Sequence, residues 1–265
     1  MKNLFTALGE KVCKSLASWQ ETLIFCGECA CSLALLVRNP KKLRWRNFFY
    51  YMDVCGASAL GIVILICFLM GITIAFQAAI QMRKFGTEIF VADLTGFSML
   101  KEFGPLMVAL IATGRAGSSF AAEIGSMKAE EEISALTTMG ISPVRFLVVP
   151  KLLAMVICMP ALIVFGDIAG LLGGLAVGMG FLGLTAETYI SRTLEVLTPM
   201  TLLLGVLKGV FFGAMIALVG CREGFRSSPD SQGVGRATTR AVVRAILFLI
   251  IIDTLITLIY SFWGY

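Results

Sequence analysis

The sequence predicts an all-α integral membrane protein whose chain crosses the bilayer as five helices. Hydrophobic residues make up 58% of the 265 positions and charged residues only 15%, whereas soluble domains carry about 45–50% and about 25%. The apolar residues are also collected into long stretches, and the stretch from Val54 to Met82 contains no charged residue. A soluble fold of this length could not bury so much apolar surface, so lipid is the expected solvent.

The apolar stretches predict where the chain crosses the bilayer. A helix needs about 20 predominantly apolar residues to span the hydrocarbon core. By this criterion the five predicted spans lie at about 57–80, 104–122, 152–177, 197–220 and 245–263.

Each of the last four predicted spans contains one charged residue: in chain order Arg115, Asp167, Lys208 and Asp253. An ionisable group at bilayer depth costs at least a few kcal/mol unless it is paired or hydrated. Because Lys208 and Asp253 lie midway along neighbouring spans, we predict an ion pair between them. The sequence leaves open whether such a pair is purely structural or takes part in transport.

Small residues recur at every fourth position in the predicted spans. The third span carries Gly166, Gly170, Gly174 and Gly178. This spacing places small residues along one face of a helix and lets a second helix backbone approach closely. The pattern predicts a tightly packed helical bundle.

The distribution of basic residues predicts the orientation of the chain. The N-terminal segment and the connections at 123–151 and 221–244 together hold sixteen Lys and Arg, and the opposite side holds four. Basic residues concentrate on the cytoplasmic side of membrane proteins. We therefore expect the N-terminus in the cytoplasm and the C-terminus on the outer, periplasmic side.

The chain is expected to divide into an N-terminal interfacial segment, residues 1–46, and a five-span domain, residues 47–265. The charges of the first segment are spread along it, which is not typical of a cleaved signal peptide. Its apolar residues recur at three- and four-residue steps and predict an amphipathic helix on the membrane surface. These residues are Phe5, Leu8, Val12, Leu16, Trp19 and Leu23.

The residue types that are absent exclude several kinds of enzyme. The chain has no histidine and no GxxxxGK[ST] loop, so histidine-dependent zinc or triad chemistry and nucleotide binding through that loop are not expected. Cys26, Cys29 and Cys31 are the only close group among eight cysteines, and no second ligand pair accompanies them. We expect no metal site, no structural disulfide, no cofactor in this chain, no nucleic-acid partner and no enzymatic activity of its own.

The connection between the second and third predicted spans has the pattern of a short helix, predicted over 129–139. Carboxylates near a helix start favour the helix dipole, and Gly140 and Pro143 predict where the helix ends. Such an element could dock a soluble motor protein, or it could simply lie on lipid headgroups. The residues considered for docking are the carboxylates Glu130, Glu131 and Glu132 and the apolar Ile133, Leu136 and Met139, which recur at three-residue steps.

Several motifs in this order resemble the MlaE (YrbE-type) permease family of ABC transporters, over roughly residues 45–260. The matching runs are Glu102-Phe-Gly-Pro-Leu, Ala112-Thr-Gly-Arg-Ala-Gly-Ser, Ala122-Glu-Ile-Gly-Ser-Met-Lys-Ala-Glu-Glu-Glu-Ile-Ser-Ala-Leu, Met139-Gly-Ile-Ser-Pro and Arg236-Ala-Thr-Thr-Arg-Ala-Val-Val.

The resemblance implies a homodimeric permease subunit in the bacterial inner membrane. Its partners would be a cytoplasmic ATPase that binds ATP and Mg²⁺, a small STAS-type accessory subunit and an MCE-domain protein outside. The transported molecule would be a phospholipid or a related lipid, and the transport would contribute to outer-membrane lipid asymmetry.

The resemblance also assigns residues to roles. It makes the 129–139 helix a coupling helix that seats in the ATPase. It places a lipid site between the end of the first span and the start of the second, where Lys101 could face a lipid phosphate. The residues implied for this site are Ile74, Gln77, Met82, Phe85, Lys101 and Glu102.

A second interpretation is an ion-coupled secondary transporter that uses Asp167, Lys208 and Asp253 as coupling sites. No inverted repeat is visible in the sequence, and five spans do not divide into equal halves. A membrane-bound enzyme of lipid metabolism is disfavoured, because the chain has no histidine and no cluster of convergent carboxylates.

Overall fold

The computed structural model describes residues 20–35 and 44–262, which form helices joined by short turns. We number these helices in chain order. Helix α1 covers 20–35, and the short helices α4 and α6 cover Glu132–Thr138 and Ala186–Val196. The five long helices are α2 (Trp45–Arg83), α3 (Phe90–Ala129), α5 (Val144–Gly180), α7 (Pro199–Phe225) and α8 (Ser231–Phe262).

These five long helices confirm the number and order of the predicted spans. Each is long and apolar enough to cross a bilayer, and no other helix in the described part of the chain is. Three of the helices begin well before the predicted spans: α2 at Trp45 instead of about 57, α3 at Phe90 instead of about 104, and α8 at Ser231 instead of about 245. Hydropathy detects only the most apolar part of a helix, whereas these helices continue beyond it through more polar residues.

Little of the predicted surface helix lies within the described residues. Among its apolar positions only Leu23 does, and its side chain is exposed. In the same helix α1, burial raises the pKa of the Cys29 thiol to about 12, so this thiol is neutral near pH 7. The seven cysteines that the structure describes are all free thiols.

Helix α5 lies at the centre of the bundle, between α2 and α7. Two thirds (67%) of its most apolar stretch is buried against other helices, compared with 11% for α8. The apolar face of α8 is therefore open to lipid or to a second subunit, while α5 supplies the core against which the other spans pack.

The glycines of α5 allow the closest helix contact in the bundle. A Cβ atom added at Gly71 of α2 would overlap the carbonyl of Gly170, and one added at Gly173 would overlap the carbonyl of Phe68. The two backbones touch because neither helix has a side chain there. The predicted small-residue face is confirmed as a contact face: Gly166 and Gly170 pack against α2 and α3, and Gly174 and Gly178 pack against Tyr189 of α6.

The contact predicts a large stability difference between two substitutions on α2. Gly71→Ala is expected to lower the free energy of unfolding by about 3 kcal/mol, since a methyl group would push against backbone that cannot rotate away. Gly61→Ala is the matched control, because nothing lies within 4 Å of a Cβ at Gly61. Thermal unfolding in detergent measures both, and equal unfolding temperatures would contradict the close contact between α2 and α5.

Candidate functional site

Lys208 is the centre of a polar network inside the bundle. Its side chain is almost completely buried, at 2% exposure, and its Nζ lies 2.8 Å from Asp253 Oδ1 and 3.1 Å from Glu102 Oε2. It also donates hydrogen bonds to the carbonyl of Lys101 (2.8 Å) and to Thr257 Oγ1 (3.1 Å). The predicted ion pair between Lys208 and Asp253 is confirmed, and the structure adds Glu102 as a second carboxylate partner.

A widened turn of α3 brings Glu102 to this network. Residues Met99–Phe103 form a π-helical turn, and such turns disturb the regular carbonyl bonding of a helix. In a membrane, neighbouring side chains must satisfy the groups so exposed. Helix α7 can approach because Gly205 has no side chain: a Cβ there would lie 2.9 Å from the carbonyl oxygen of Leu100.

The charges of this network depend on one another. Two carboxylates share one ammonium group, and the Thr257 hydroxyl donates to Glu102 Oε1 at 2.8 Å. Each charge would be costly alone in lipid, so the three charges are stable there only together.

A cavity of about 160 Å³ opens beside the network. Within it, Lys101 Nζ lies 4.2 Å from the centre of the Phe97 ring, a cation–π distance. The cavity has a charged floor and apolar or aromatic walls, which suits the polar end of an amphipathic molecule. Its lining residues are Phe97, Lys101, Glu102, Leu204, Lys208, Thr257, Tyr260 and Ser261.

The structure brings only two of the six residues implied for the lipid site to this cavity, Lys101 and Glu102. The other four lie in the second half of α2 and just after it. Ile74 packs on the core, Met82 accepts a hydrogen bond from Thr87, and Gln77 and Phe85 are exposed. The residues from α7 and α8 were missed as cavity walls, because their approach to α3 is a long-range contact.

The two remaining charges inside the spans do not join the ion pairs of Lys208. Arg115 lies in a second π-helical turn of α3 and donates a hydrogen bond to the carbonyl of Ser58 on α2. Asp167 of α5 is 4% exposed and packs against Gly104, where a Cβ would overlap its carboxylate.

The helix predicted over 129–139 is shorter than expected. Helix α4 covers only Glu132–Thr138, because α3 continues to Ala129 and Glu131 adopts the left-handed conformation with φ 60°. This conformation is rare for residues other than glycine, and here it reverses the chain between the two helices. Gly140 ends α4 with φ 73°, as the sequence predicts.

The apolar residues of α4 do not form one uniform face. Leu136 is buried and Ile133 packs on the core, whereas Met139 is 64% exposed. The carboxylates of Glu130, Glu131 and Glu132 are also exposed. One side of α4 therefore fixes it to the bundle, while Met139 and the carboxylates remain on an accessible surface.

A second ion pair, formed by a buried lysine, connects the two long helices that precede and follow α4 in the chain. Lys151, near the start of α5, is 0% exposed and its Nζ lies 3.0 Å from Oε1 of Glu123, near the end of α3. The hydroxyl of Tyr51 on α2 donates to the same oxygen at 2.6 Å, and its ring lies 5.0 Å from Lys151 Nζ. From the sequence, Lys151 is only a charge of the 123–151 connection; its position within the apolar run Val-Val-Pro-Lys-Leu-Leu is the signal that could have indicated burial.

Five helices able to span a membrane, with a charged network and a cavity beside it, define a multi-pass membrane protein. The chain belongs to the MlaE permease family, because the family model described as Permease MlaE matches residues 48–259. It is 36% identical to a probable ABC transporter permease protein of Rickettsia bellii, over 96% of each chain. It is 34% identical to the intermembrane phospholipid transport system permease protein MlaE of Haemophilus influenzae, over 78% of this chain and 80% of that protein.

Proposed function

We propose that this chain is the membrane subunit of an ABC transporter that moves phospholipids between the inner membrane and an MCE-domain partner outside it. The observation that carries the proposal is the cavity of α3, α7 and α8, with its charged floor and apolar walls. The Haemophilus relative, named a phospholipid transport permease, supports this choice of substrate. Transport of this kind would contribute to the lipid asymmetry of the outer membrane.

The cavity fits the polar end of a phospholipid. Lys101 supplies an ammonium group for the phosphate, held over the Phe97 ring. Lys208 does not bind the phosphate, because its ammonium group forms ion pairs with Glu102 and Asp253 and holds these carboxylates in place. Acyl chains would extend along the exposed apolar faces of α2 and α8, which a second copy of the chain would enclose.

The proposed motor is a separate cytoplasmic ATPase dimer, with a STAS-type accessory subunit beside it. Its binding surface on this chain is the exposed side of α4, with Met139 and the carboxylates of Glu130 to Glu132. This assignment places the N-terminus in the cytoplasm and the C-terminus in the periplasm, as the basic residues predict.

The docking surface predicts the effect of one charge reversal. Glu131→Arg is expected to reduce recovery of the ATPase in mild detergent by at least about tenfold, since removing a charge contact at a protein interface costs roughly 2 kcal/mol or more. The lipid content of the purified chain should not change. Mass spectrometry of the co-purified proteins and lipids measures both.

Glu195→Arg on α6 is the matched control, because Glu195 is equally accessible but lies in a different connection and pairs with Arg192 at 2.7 Å. Equal loss of the ATPase from both variants would contradict docking on α4. Absence of any ATPase from the wild-type complex would contradict the ABC assignment itself.

The second candidate is an ion-coupled secondary transporter, favoured by the buried Asp167 and Lys208 and by Asp253, which pairs with Lys208. Reconstituted vesicles separate the two proposals. Lipid movement that needs ATP and the ATPase, and is unaffected when a proton gradient is dissipated, supports the ABC transporter; the reverse dependence supports ion coupling.

A further inference from the structure

Asp167 places a carboxyl group in the middle of α5, where no positive charge accompanies it. Its side chain is 4% exposed, and no Lys or Arg in the described part of the chain forms an ion pair with it. The two cations of the predicted spans, Lys208 and Arg115, have other partners. The titratable side chain that faces it from α2 is the thiol of Cys67, which supplies no positive charge.

An ionised carboxylate would be costly at this position. A charge that is buried in an apolar medium without a counter-charge costs many kcal/mol, and the group binds a proton instead. We therefore expect Asp167 to be a neutral carboxylic acid near pH 7. A neutral carboxyl group has an O–H that can donate a hydrogen bond, whereas an ionised carboxylate can only accept.

The π-helical turn of α3 offers an acceptor for this O–H. Asp167 Oδ1 is buried, and no N–H or O–H of the described residues donates to it. A Cβ atom at Gly104 would overlap Oδ1, and the same point lies 2.8 Å from the carbonyl oxygen of Met99. This carbonyl accepts the N–H of Gly104 across the turn and has a second lone pair. Two oxygens without a proton would repel each other here, whereas a proton on Oδ1 can join them.

We propose that Asp167 is a neutral carboxylic acid that donates its proton to the Met99 carbonyl and thereby holds the turn Met99–Phe103 in place. Lys101 and Glu102 lie in this turn, so Asp167 is a positioning residue for the cavity beside Lys208. It keeps its proton and is not a coupling site for ions. The importance of the turn for lipid binding rests on the proposed function, but the proton and the hydrogen bond of Asp167 do not.

Infrared spectroscopy of the full-length protein in detergent at neutral pH tests the proton. A protonated carboxyl group has a C=O stretching band that neither an ionised carboxylate nor an amide shows. We expect this band in the wild type and its loss in Asp167→Asn. Asp53→Asn is the control, because it replaces an exposed carboxylate of α2 and should leave the band unchanged. If the wild type and Asp167→Asn do not differ in this band, the inference is overturned.

The NMR signal of Lys101 tests whether Asp167 holds the turn. Lys101 Nζ lies 4.2 Å from the centre of the Phe97 ring, so the ring should displace the resonances of ¹³C-methyl groups attached to this nitrogen. The signal is assigned by its loss in Lys101→Arg. Asp167→Asn should keep the displacement, because its amide group also donates. Asp167→Val should lose it, because valine has no donor and does not extend as far as Oδ1.

Two results of the NMR experiment would overturn the inference. An unchanged Lys101 signal in Asp167→Val would mean that Asp167 does not hold the turn. A displaced signal lost in Asp167→Asn would mean that a donor at this position is not sufficient. If Asp167→Val does not fold, the infrared band and the Lys101 signal of Asp167→Asn still decide. Neither measurement uses the ATPase or a transported lipid, so failure here is distinguishable from failure of the proposed function.

Discussion

Lys208→Met is expected to abolish lipid transport and to lower the free energy of unfolding by about 3–5 kcal/mol, the usual cost of breaking a buried ion pair. The substitution leaves the carboxylates of Glu102 and Asp253 near one another in a membrane-embedded site with no cation between them. It also removes a donor from the Lys101 carbonyl and from Thr257. Thermal unfolding in detergent and lipid transfer in reconstituted vesicles measure the two effects.

A triple variant, Lys208→Met with Glu102→Gln and Asp253→Asn, separates structure from transport. It removes all three charges, and uncharged replacements of buried ion pairs are often as stable as the original. We expect stability to return but transport to remain absent. Recovery of both stability and transport in the triple variant would mean that the network is only structural. If the single variants Lys208→Met and Asp253→Asn were each as stable and as active as the wild type, the ion pair would contribute to neither property.

The membrane itself explains why much of this fold is predictable. Lipid requires long apolar helices, so the positions of the long apolar stretches predict five spans. Lipid also makes isolated charges costly, so an ion pair can be predicted between Lys208 and Asp253, which carry opposite charges at similar depth. Close packing in lipid depends on small residues, so the fourfold glycine spacing around Gly170 predicts a contact face.

The details that escaped prediction depend on contacts between distant segments. Nothing in the local sequence indicates that Glu102 shares Lys208 with Asp253, because the π-helical turn Met99–Phe103 is what rotates it toward α7. Glu131 adopts the left-handed conformation, which glycine or asparagine would have indicated but glutamate does not. The resemblance assigns Lys101 and Glu102 to a lipid site, and both residues line a cavity, but local pattern cannot place Ile74 or Phe85 relative to it.

The ion pair of the buried Lys151 with Glu123 has a mechanical consequence for the proposed coupling. Helix α4 is held between α3 and α5, and this pair joins those two helices on either side of it. Tyr51 attaches the pair to α2 through the same carboxylate oxygen. Movement of α4 by the ATPase can be passed to α3 and α5 only if the connection between these three helices is rigid. The ion pair of Lys151 and Glu123 makes this connection more rigid.

Lys151→Met is therefore expected to uncouple ATP hydrolysis from transport. The ATPase should still co-purify, because the exposed surface of α4 is unchanged, but the lipid moved per ATP hydrolysed should fall by at least about tenfold. Tyr51→Phe removes a single hydroxyl donor and should give a smaller loss, since one such hydrogen bond contributes about 1–2 kcal/mol.

Lys84→Met serves as the control, because Lys84 is exposed just after α2 and loses the same charge. The decisive quantity is the ratio of lipid transfer to ATP hydrolysis in vesicles that contain the purified complex. A parallel fall in ATPase binding, hydrolysis and transfer would indicate that Lys151 only stabilises the fold. A fall in transfer alone, graded from Tyr51→Phe to Lys151→Met, is expected if the pair transmits movement from α4 to the spans.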